Sequence, residues 1–252
     1  MGVDATAFRT ASVHLQLDRN VRRSRVQSTQ VTLSIVIPVL NEERSLATAL
    51  DAVPRDAETI VVDGESTDGT VWVAENRGVR VIQGDRGRGA QMDAGARATT
   101  GAAIWFLHAD SVPCGDALDR ILEALSDPTV AAGNFALQFE GASFGARFLN
   151  RLYPMLARIG LRYGDSGIFV RRTAYERVGG FAPFPIFEDL DLLRRLKPEG
   201  QFVTLPGPLI TSSRRFEGRN FALVFGRWAV MQILYWAGVH PCRLGQLYET
   251  FR

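Results

Sequence analysis

Residues 31–43 of the chain read VTLSIVIPVLNEE, and residues 58–64 read ETIVVDG. Both stretches begin with a β-branched apolar run, which is typical of a buried strand. The first run is stopped by Pro38, after which apolar residues recur at helical spacing over 42–53, with Asn41 in the capping position. A buried strand followed directly by an amphipathic helix predicts a βαβ unit, and therefore a parallel sheet.

The same alternation continues over the next sixty residues. Strands are expected at 31–39, 58–63, 79–83 and 102–107, and further helices at 67–76, 88–99 and 115–125. Four strands separated by helices predict an α/β protein with a mostly parallel sheet flanked by helices. Ligands of such sheets bind beyond the carboxyl ends of the strands, so the residues that follow each strand are the candidate site.

The sequence divides into three parts. Residues 1–30 are rich in arginine and poor in large apolar groups, which predicts a loosely ordered leader. The leader is interpreted as the result of a start codon assigned too far upstream or, less favoured, as an organelle-type presequence. Residues 31–215 hold the α/β domain, and residues 216–252 form a C-terminal helical segment. The apolar run 221–239 approaches the length of a membrane span. Arg227 inside that run favours a helix that packs on the domain or docks on a membrane surface.

The composition is that of an ordinary globular protein, with 252 residues, 46% hydrophobic and 22% charged, and a formal net charge of +2. These values exclude collagen-like and wholly disordered chains. The near balance of charge argues against general nucleic-acid binding. Cys114 and Cys242 have neither metal-site spacing nor the density of a secreted disulfide framework, which favours a cytoplasmic protein.

Carboxylates, and not glycine-rich loops, follow the predicted strands. The first turn has no glycine, and in the segment that begins Gly87-Arg88-Gly89 the third glycine of a dinucleotide motif is replaced by Met92. Asp63 and Asp110 each end an apolar strand. Asp63 can accept hydrogen bonds from a base or ribose, and Asp110 can ligate Mg²⁺ or Mn²⁺ that carries a diphosphate. Either acid alone is equally well explained as a helix cap.

Five segments together resemble a known family. They are SIVIPVLNEE (34–43), IVVDGESTDGT (60–70), GRGAQMDAG (87–95), FLHADS (106–111) and GIFVRRTAYERVGGFAPFPIFEDLDLLRRL (167–196). In this order they resemble a family 2 glycosyltransferase over about residues 32–215. The HAD and QMDAG variants resemble a small soluble subgroup, some members of which are named for proposed arsenosugar biosynthesis or for association with radical-SAM proteins. The resemblance implies the GT-A fold, a Rossmann-like sheet with an acceptor-side extension and C-terminal helices.

The resemblance also implies roles on the donor side. Pro38, Asn41 and Glu42 match the first-strand motif that approaches the nucleotide, and Asp63 matches the acid that binds the nucleobase. Two more positions, Arg88 and Asp93, fall in the segment that lines the nucleotide-sugar cleft in this family.

The metal and acceptor positions match as well. His108, Ala109 and Asp110 occupy the metal-binding DXD position, and His108 replaces its first acid, so Asp110 is the expected metal ligand. Glu188 and Asp189 match the acceptor-side ED motif, whose Asp resembles the catalytic base of inverting members. The QxxRW signature of the family is absent in recognisable form. Cationic contacts to the diphosphate are expected instead from Arg214, Arg215 and Arg219.

The predicted function is therefore an inverting, metal-dependent glycosyltransferase that uses a nucleotide sugar, with uridine as the preferred base, and an unknown acceptor. A sugar-nucleotide nucleotidyltransferase would share the sheet and the acids, but it requires a glycine-rich triphosphate loop. A non-catalytic membrane-surface or partner-binding module would explain the apolar C-terminal run, but not Asp63, Asp110 and Asp189 at motif positions. For Asp189, a structural pairing with Arg194 or Arg195 is the alternative to a basic role.

Overall fold

One eight-stranded sheet with helices on both faces organises the part of the chain that the structure describes. The structure is a computed structural model and describes residues 31–158, 160–216 and 220–250. The strands are β1 Leu33–Val39, β2 Glu58–Asp63, β3 Arg80–Gln83, β4 Ala103–Phe106, β5 Ser111–Val112, β6 Val130–Phe139, β7 Phe169–Arg171 and β8 Gln201–Thr211. The leader predicted over residues 1–30 lies outside the described residues.

Helices alternate with the first strands and then dominate the end of the chain. They are α1 Glu43–Asp51, α2 Thr70–Glu75, α3 Arg88–Ala98, α4 Ala117–Ala124, α5 Phe144–Arg158, α6 Arg172–Arg177, α7 Glu188–Leu196, α8 Phe221–Trp236 and α9 Pro241–Thr250. Short 3₁₀ turns cover Gly164–Ser166, Lys197–Glu199 and Arg214–Phe216.

The two halves of the sheet are built differently. The strand order is β3-β2-β1-β4-β7-β6-β8-β5. The pairs β3–β2, β2–β1 and β1–β4 are parallel, so the carboxyl ends of the first four strands meet at one edge, as predicted. In the second half, β7 runs antiparallel to both β4 and β6, β8 runs parallel to β6, and β5 is antiparallel to β8. The chain order reverses between β1 and β4, which is where open α/β sheets bind their ligands.

Two expectations about the turn after β1 are wrong in detail. Pro38 does not stop the strand: it lies inside β1, paired in register with Val62, because the fixed φ of proline is compatible with extended backbone. The N-cap of α1 is Glu42, whose side chain makes no capping hydrogen bond, and not Asn41. Asn41 has a φ of 57°, a left-handed conformation in which its side chain bonds elsewhere.

The core lies on both faces of the sheet. All seven residues of β1 are buried, as a nearly continuous apolar strand requires. Ile35 packs with Leu46 of α1 on one face, and Val36 packs with Met92 of α3 on the other. A Cβ atom at Gly95 would lie 2.3 Å from Val36 Cγ1, which explains why α3 carries small residues where it crosses β1.

The C-terminal helices pack on the domain along one side. Phe221 and Phe225 of α8 adjoin the cluster around Phe139, and Met231 packs with Phe187 and Leu244. Packing on the domain was one of the two placements expected for this segment. Within the described residues, no helix combines the length and apolar character needed to cross a membrane.

Candidate active site

A buried glutamine ties together the carboxyl ends of β1 and β2. Gln91 Nε2 donates to Val39 O at 2.7 Å and to Val62 O at 2.8 Å. A Cβ atom at Gly64 would lie 2.9 Å from this amide, so the turn after β2 needs glycine there. Sequence reasoning missed Gln91, and the available signal was a polar residue within an otherwise small and apolar stretch of α3. Because Gln91 fixes both strand ends, it positions the turn that carries Asp63.

Asp63 ends β2 and is only 2% exposed. Ser66 N lies 3.2 Å from each of its carboxylate oxygens and donates to them. An ionised carboxylate has about four lone-pair sites, so this contact leaves acceptor capacity for a ligand. The expected hydrogen bond from a base or ribose therefore remains chemically available, and it stays a prediction.

The turns after β1 and β2 form one hydrogen-bonded rim. Asn41 Oδ1 accepts from Thr67 N at 2.8 Å, and Asn41 N donates to Ser66 Oγ at 2.9 Å. Glu42 N donates to Thr70 Oγ1 at 2.7 Å. Asn41 and Glu42 thus hold the rim together, which is a positioning task distinct from the nucleotide contact that the motif implies.

The HAD segment follows β4 at the same edge. His108 and Ala109 are buried, and Asp110 is partly exposed. The next strand, β5, pairs antiparallel with β8, and this pairing brings Arg214, three residues beyond β8, to Asp110. A residue far along the chain therefore lies beside the predicted metal ligand.

Arg214 bridges two carboxylates of the site. Its Nη2 lies 3.5 Å from Asp110 Oδ2 and donates to both carboxylate oxygens of Glu42. The hydrogen bonds to Glu42 raise the pKa of Arg214, and the charges of Glu42 and Asp110 add to this against the effect of burial. Arg214 is one of the three arginines expected to meet a diphosphate, and that contact stays a prediction. The side chain of Arg215 and all of Arg219 lie outside the described residues.

The donor set at this edge suits a metal ion that brings ligands with it. In the described part of the chain, no group of three or more His, Cys, Asp or Glu residues could hold a metal ion. Asp110 offers one carboxylate, and hard divalent cations readily keep phosphate and water oxygens as their other ligands. The residues present therefore fit a cation that arrives with a diphosphate, and not a site made wholly of protein.

Backbone strain is concentrated at this edge of the molecule. Among the described residues, the non-glycine residues with positive φ are Asn41, Glu65 and Phe187. Such conformations cost about 1–3 kcal/mol each and cluster at functional sites. Phe187 is held in place by packing, with its ring centroid 4.8 Å from that of Tyr235. Its left-handed backbone starts α7, so that Glu188 immediately follows the strained residue.

Glu188 is buried beside the start of α3. Burial raises the pKa of the Glu188 carboxyl, and the charge of the neighbouring Asp189 raises it further. The guanidinium of Arg88 lowers this pKa, since its Nε lies 3.8 Å from Glu188 Oε1. A Cβ atom at Gly89 would lie 3.2 Å from Glu188 Cβ, so glycine permits this close approach of α3. Two family segments distant in sequence, GRG and ED, therefore meet here.

Asp189 is held by backbone N–H groups. Its Oδ2 accepts from Gly164 N, and its Oδ1 accepts from Leu190 N at 2.8 Å. Burial raises the pKa of the Asp189 carboxyl, although both N–H donors and Arg88 act in the opposite direction. A carboxylate with a raised pKa is a better proton acceptor near neutral pH than an ordinary aspartate.

Asp191, and not Asp189, forms ion pairs with the arginines of α7. Its oxygens lie 3.1 Å from Arg194 Nη2 and 2.8 Å from Arg195 Nε. The structural alternative for Asp189, an ion pair with Arg194 or Arg195, is therefore not what the structure shows.

Arg88 and Asp93, the two residues of α3 that were expected to line the cleft, contact different helices. Asp93 Oδ1 accepts from Tyr175 Oη at 2.8 Å, and Oδ2 pairs with Arg97 at 2.7 Å. Asp93 therefore ties α3 to α6, whereas Arg88 faces α7. The lining of a nucleotide-sugar cleft by Asp93 remains a prediction.

Solved structures share this fold. A mannosyltransferase from Pyrobaculum calidifontis, in complex with GDP-Man and Mn²⁺, is 20% identical with a TM-score of 0.62, covering 91% of this chain and 71% of that one. Glucosyl-3-phosphoglycerate synthase from Mycobacterium tuberculosis, in complex with Mn²⁺, UDP and glucosyl-3-phosphoglycerate, is 21% identical with a TM-score of 0.58, covering 84% and 82%. The fold is the GT-A fold, as the sequence predicted.

The family is established by sequence. Residues 34–179 match the profile described as glycosyl transferase family 2, so the chain belongs to that family. An uncharacterised glycosyltransferase of Mycobacterium tuberculosis is 40% identical over 86 residues, which are 33% of this chain and 39% of that protein. The match thus spans about two fifths of the length of this relative.

Proposed function

We propose that the protein is an inverting, metal-dependent glycosyltransferase that takes a sugar from a nucleotide sugar, with UDP preferred, and passes it to an acceptor nucleophile. One observation carries the proposal. Two aspartates of the site lie in different environments: Asp110 is partly exposed in the turn beside Arg214, and Asp189, in the first turn of α7, is held by backbone N–H groups where burial raises its pKa. The first environment suits a charged ligand, and the second suits a proton acceptor.

On the donor side, Asp110 is the proposed ligand of Mg²⁺ or Mn²⁺. When bound, such a cation neutralises the charge that builds on a departing diphosphate. Arg214 supplies positive charge at the same place from the protein itself. Asp63, Asn41 and Glu42 bound the nucleoside end of the proposed site. Support comes from the neighbours solved with Mn²⁺, one with UDP and one with GDP-Man.

On the acceptor side, Asp189 takes the proton of the acceptor hydroxyl. The acceptor oxygen then bonds to the anomeric carbon while the bond from that carbon to the diphosphate oxygen breaks. The electron pair leaves with the nucleoside diphosphate, and a single displacement of this kind inverts the configuration. Glu188 and Arg88 flank the base and set its electrostatic surroundings.

The first turn argues against the nucleotidyltransferase alternative. Between β1 and α1 the chain runs through Leu40, Asn41 and Glu42 and holds no glycine-rich loop for a triphosphate. Membership of the arsenosugar or radical-SAM associated subgroup, and a cytoplasmic location, are further proposals that rest on the sequence alone.

A donor panel tests the proposed function. Thermal unfolding is measured with UDP, GDP, ADP and UTP, each with Mn²⁺ and with chelator, and the best donor class is then used for product analysis by NMR. We expect UDP with Mn²⁺ to give the largest rise in Tm and the transferred sugar to have inverted anomeric configuration. Release of pyrophosphate from a nucleoside triphosphate, or retained configuration, would contradict the proposal.

A further inference from the structure

Exposed large apolar side chains are gathered on three helices. Ten such residues are found in the described chain, and all but Trp72 and Ile210 lie on α5, α8 and α9. The eight are Phe144, Phe148, Met155, Leu223, Val230, Ile233, Trp236 and Leu247. Single exposed apolar residues are normal on a surface, but a concentration on adjoining elements marks an interaction site.

The three helices adjoin each other, and we call their combined outer surface the helical face. The ring of Phe148 on α5 lies 5.6 Å from that of Phe221 and 5.3 Å from that of Phe225 on α8. Met231 of α8 packs with Leu244 of α9. An open groove of about 350 Å³ follows α8, lined by apolar residues and Arg227.

The helical face is predominantly basic, and Glu249 near the end of α9 is the one acid in the sequence of its three helices. Residues 141–164 and 218–248 contain no Asp or Glu, although the whole chain has 29 basic and 27 acidic side chains. The face carries exposed arginines at Arg147, Arg151, Arg158, Arg227 and Arg243. Helices that combine arginines with Phe, Leu and Trp in this way are typical of elements that lie in a membrane interface.

We propose that the helical face docks on the surface of an anionic lipid bilayer. The apolar side chains enter the boundary between headgroups and acyl chains, and the arginines meet the lipid phosphates. A second copy of this chain fits less well, because a two-fold contact through the same face would bring two sets of arginines together with a single acid from each copy.

Docking through the helical face would bring the acceptor side of the cleft to the membrane. Tyr235 of α8 contacts Phe187, which precedes the Glu188–Asp189 pair. Trp228 of α8 lies 5.3 Å, centroid to centroid, from Tyr163, which precedes the loop that donates to Asp189. The docking proposal does not depend on the reaction, since it rests on surface chemistry alone.

Vesicle sedimentation of the full chain tests the proposal. Vesicles of phosphatidylcholine are compared with vesicles containing 30% phosphatidylglycerol, a composition we choose to supply negative charge. We expect binding to the anionic vesicles that weakens at high salt, where surface charges are screened. Arg151→Gln should lower the partition coefficient on anionic vesicles about fivefold. No binding to anionic vesicles, or equal binding to both compositions, would overturn the proposal.

A matched pair of tryptophan variants locates the contact. Trp236 is 58% exposed on the helical face, and Trp72 is 66% exposed on α2. Trp236→Ala should lower partitioning about tenfold, because a large apolar group no longer enters the lipid. Trp72→Ala should change it less than about twofold. Equal losses in the two, with both variants folded by circular dichroism, would overturn the proposal. A dimer in solution that the Trp236→Ala variant dissociates would do so as well.

Discussion

The donor edge of the sheet and the acceptor side of the molecule each have an aspartate for which we propose a different task. At the donor edge, parallel strands bring Asp110 to a partly exposed position where Arg214 balances its charge. On the acceptor side, Asp189 lies in the first turn of α7, where Gly164 N and Leu190 N donate to its carboxylate and burial raises its pKa. The difference teaches that environment, and not residue identity, separates a ligand for positive charge from a proton acceptor.

The largest expected effect is a loss of turnover caused by a substitution on the acceptor side alone. Asp189→Asn keeps size and hydrogen bonding but removes the basic oxygen, so turnover should fall by roughly 10²–10⁴-fold, the usual contribution of a positioned base. Donor affinity should change little, because the base acts mainly in the transition state. Steady-state kinetics with the donor identified by the panel, and with an acceptor found by screening, would measure both quantities.

Asp191→Asn is the matched control for this variant. Asp191 is buried on the same helix but pairs with Arg194 and Arg195, so its loss should reduce stability while turnover per folded molecule stays within a few-fold of wild type. Near-wild-type turnover of Asp189→Asn would refute the assignment of the base. Equal losses of turnover in the two variants would show that the helix, and not the base, was disturbed.

The second prediction breaks the donor edge. Asp63→Asn removes the charge that a base or ribose would meet, so UDP affinity should fall by roughly 1.5–3 kcal/mol, which is about 10- to 150-fold. Asp56→Asn, an exposed acid in the loop before β2 and therefore at the opposite edge of the sheet, serves as the control and should bind UDP as wild type does. Calorimetric titration measures both, and unchanged affinity of a folded Asp63→Asn protein would remove Asp63 from the site.

The third prediction sharpens the comparison by loosening the donor rim without touching a charge. Gln91→Ala removes two buried hydrogen bonds from the strand ends, although Val39 O keeps the one from Gly64 N, so the free energy of unfolding should fall by roughly 1–3 kcal/mol. Gln138→Ala, at an exposed position of β6, should change it by less than about 0.5 kcal/mol. Urea denaturation decides between them. Equal effects of the two substitutions would mean that Gln91 does not fix the strand ends.

The smallest expected effect is a pH dependence of stability. Burial raises the pKa of the Asp189 carboxyl, so the folded chain binds this proton more tightly than the unfolded chain does. The contribution of this carboxyl to the free energy of unfolding is therefore fully present below the ordinary Asp pKa, and it is lost as pH rises through the raised pKa. Asp189→Asn should remove only part of this pH dependence of stability, since the pKa of Glu188 is raised as well. Denaturation at a series of pH values measures it, and identical pH profiles would contradict the assigned environment.

Much of the first half of the fold could be predicted from the sequence. β2 begins at Glu58 and ends at Asp63 as the β-branched run predicts, and α3 begins at Arg88 as predicted. Local patterns suffice there because each strand is followed by its own helix. The second half differs. β8 contains Pro206, Gly207 and Pro208, residues that argue against a strand, yet the strand continues through a register shift against β6.

The sequence named the candidate acids, whose roles stay predictions, but not the side chains that position them. Motif positions gave Asp63, Asp110 and Asp189. The contact of Arg214 with Asp110 depends on the pairing of β5 with β8, strands about a hundred residues apart, which no local pattern reveals. The role of Gln91 likewise requires knowing which two carbonyls its amide meets.

The separation of donor binding from base catalysis is the central claim, and one calorimetric experiment tests it most directly. UDP is titrated into wild type, Asp110→Ala and Asp189→Asn, each with Mn²⁺ and with chelator. We expect metal-dependent binding to wild type, an affinity lower by about 100-fold for Asp110→Ala, since even outer-shell partners of a metal contribute 10- to 100-fold, and wild-type affinity for Asp189→Asn. Unchanged metal-dependent affinity in folded Asp110→Ala, or an equal loss in both variants, would contradict it.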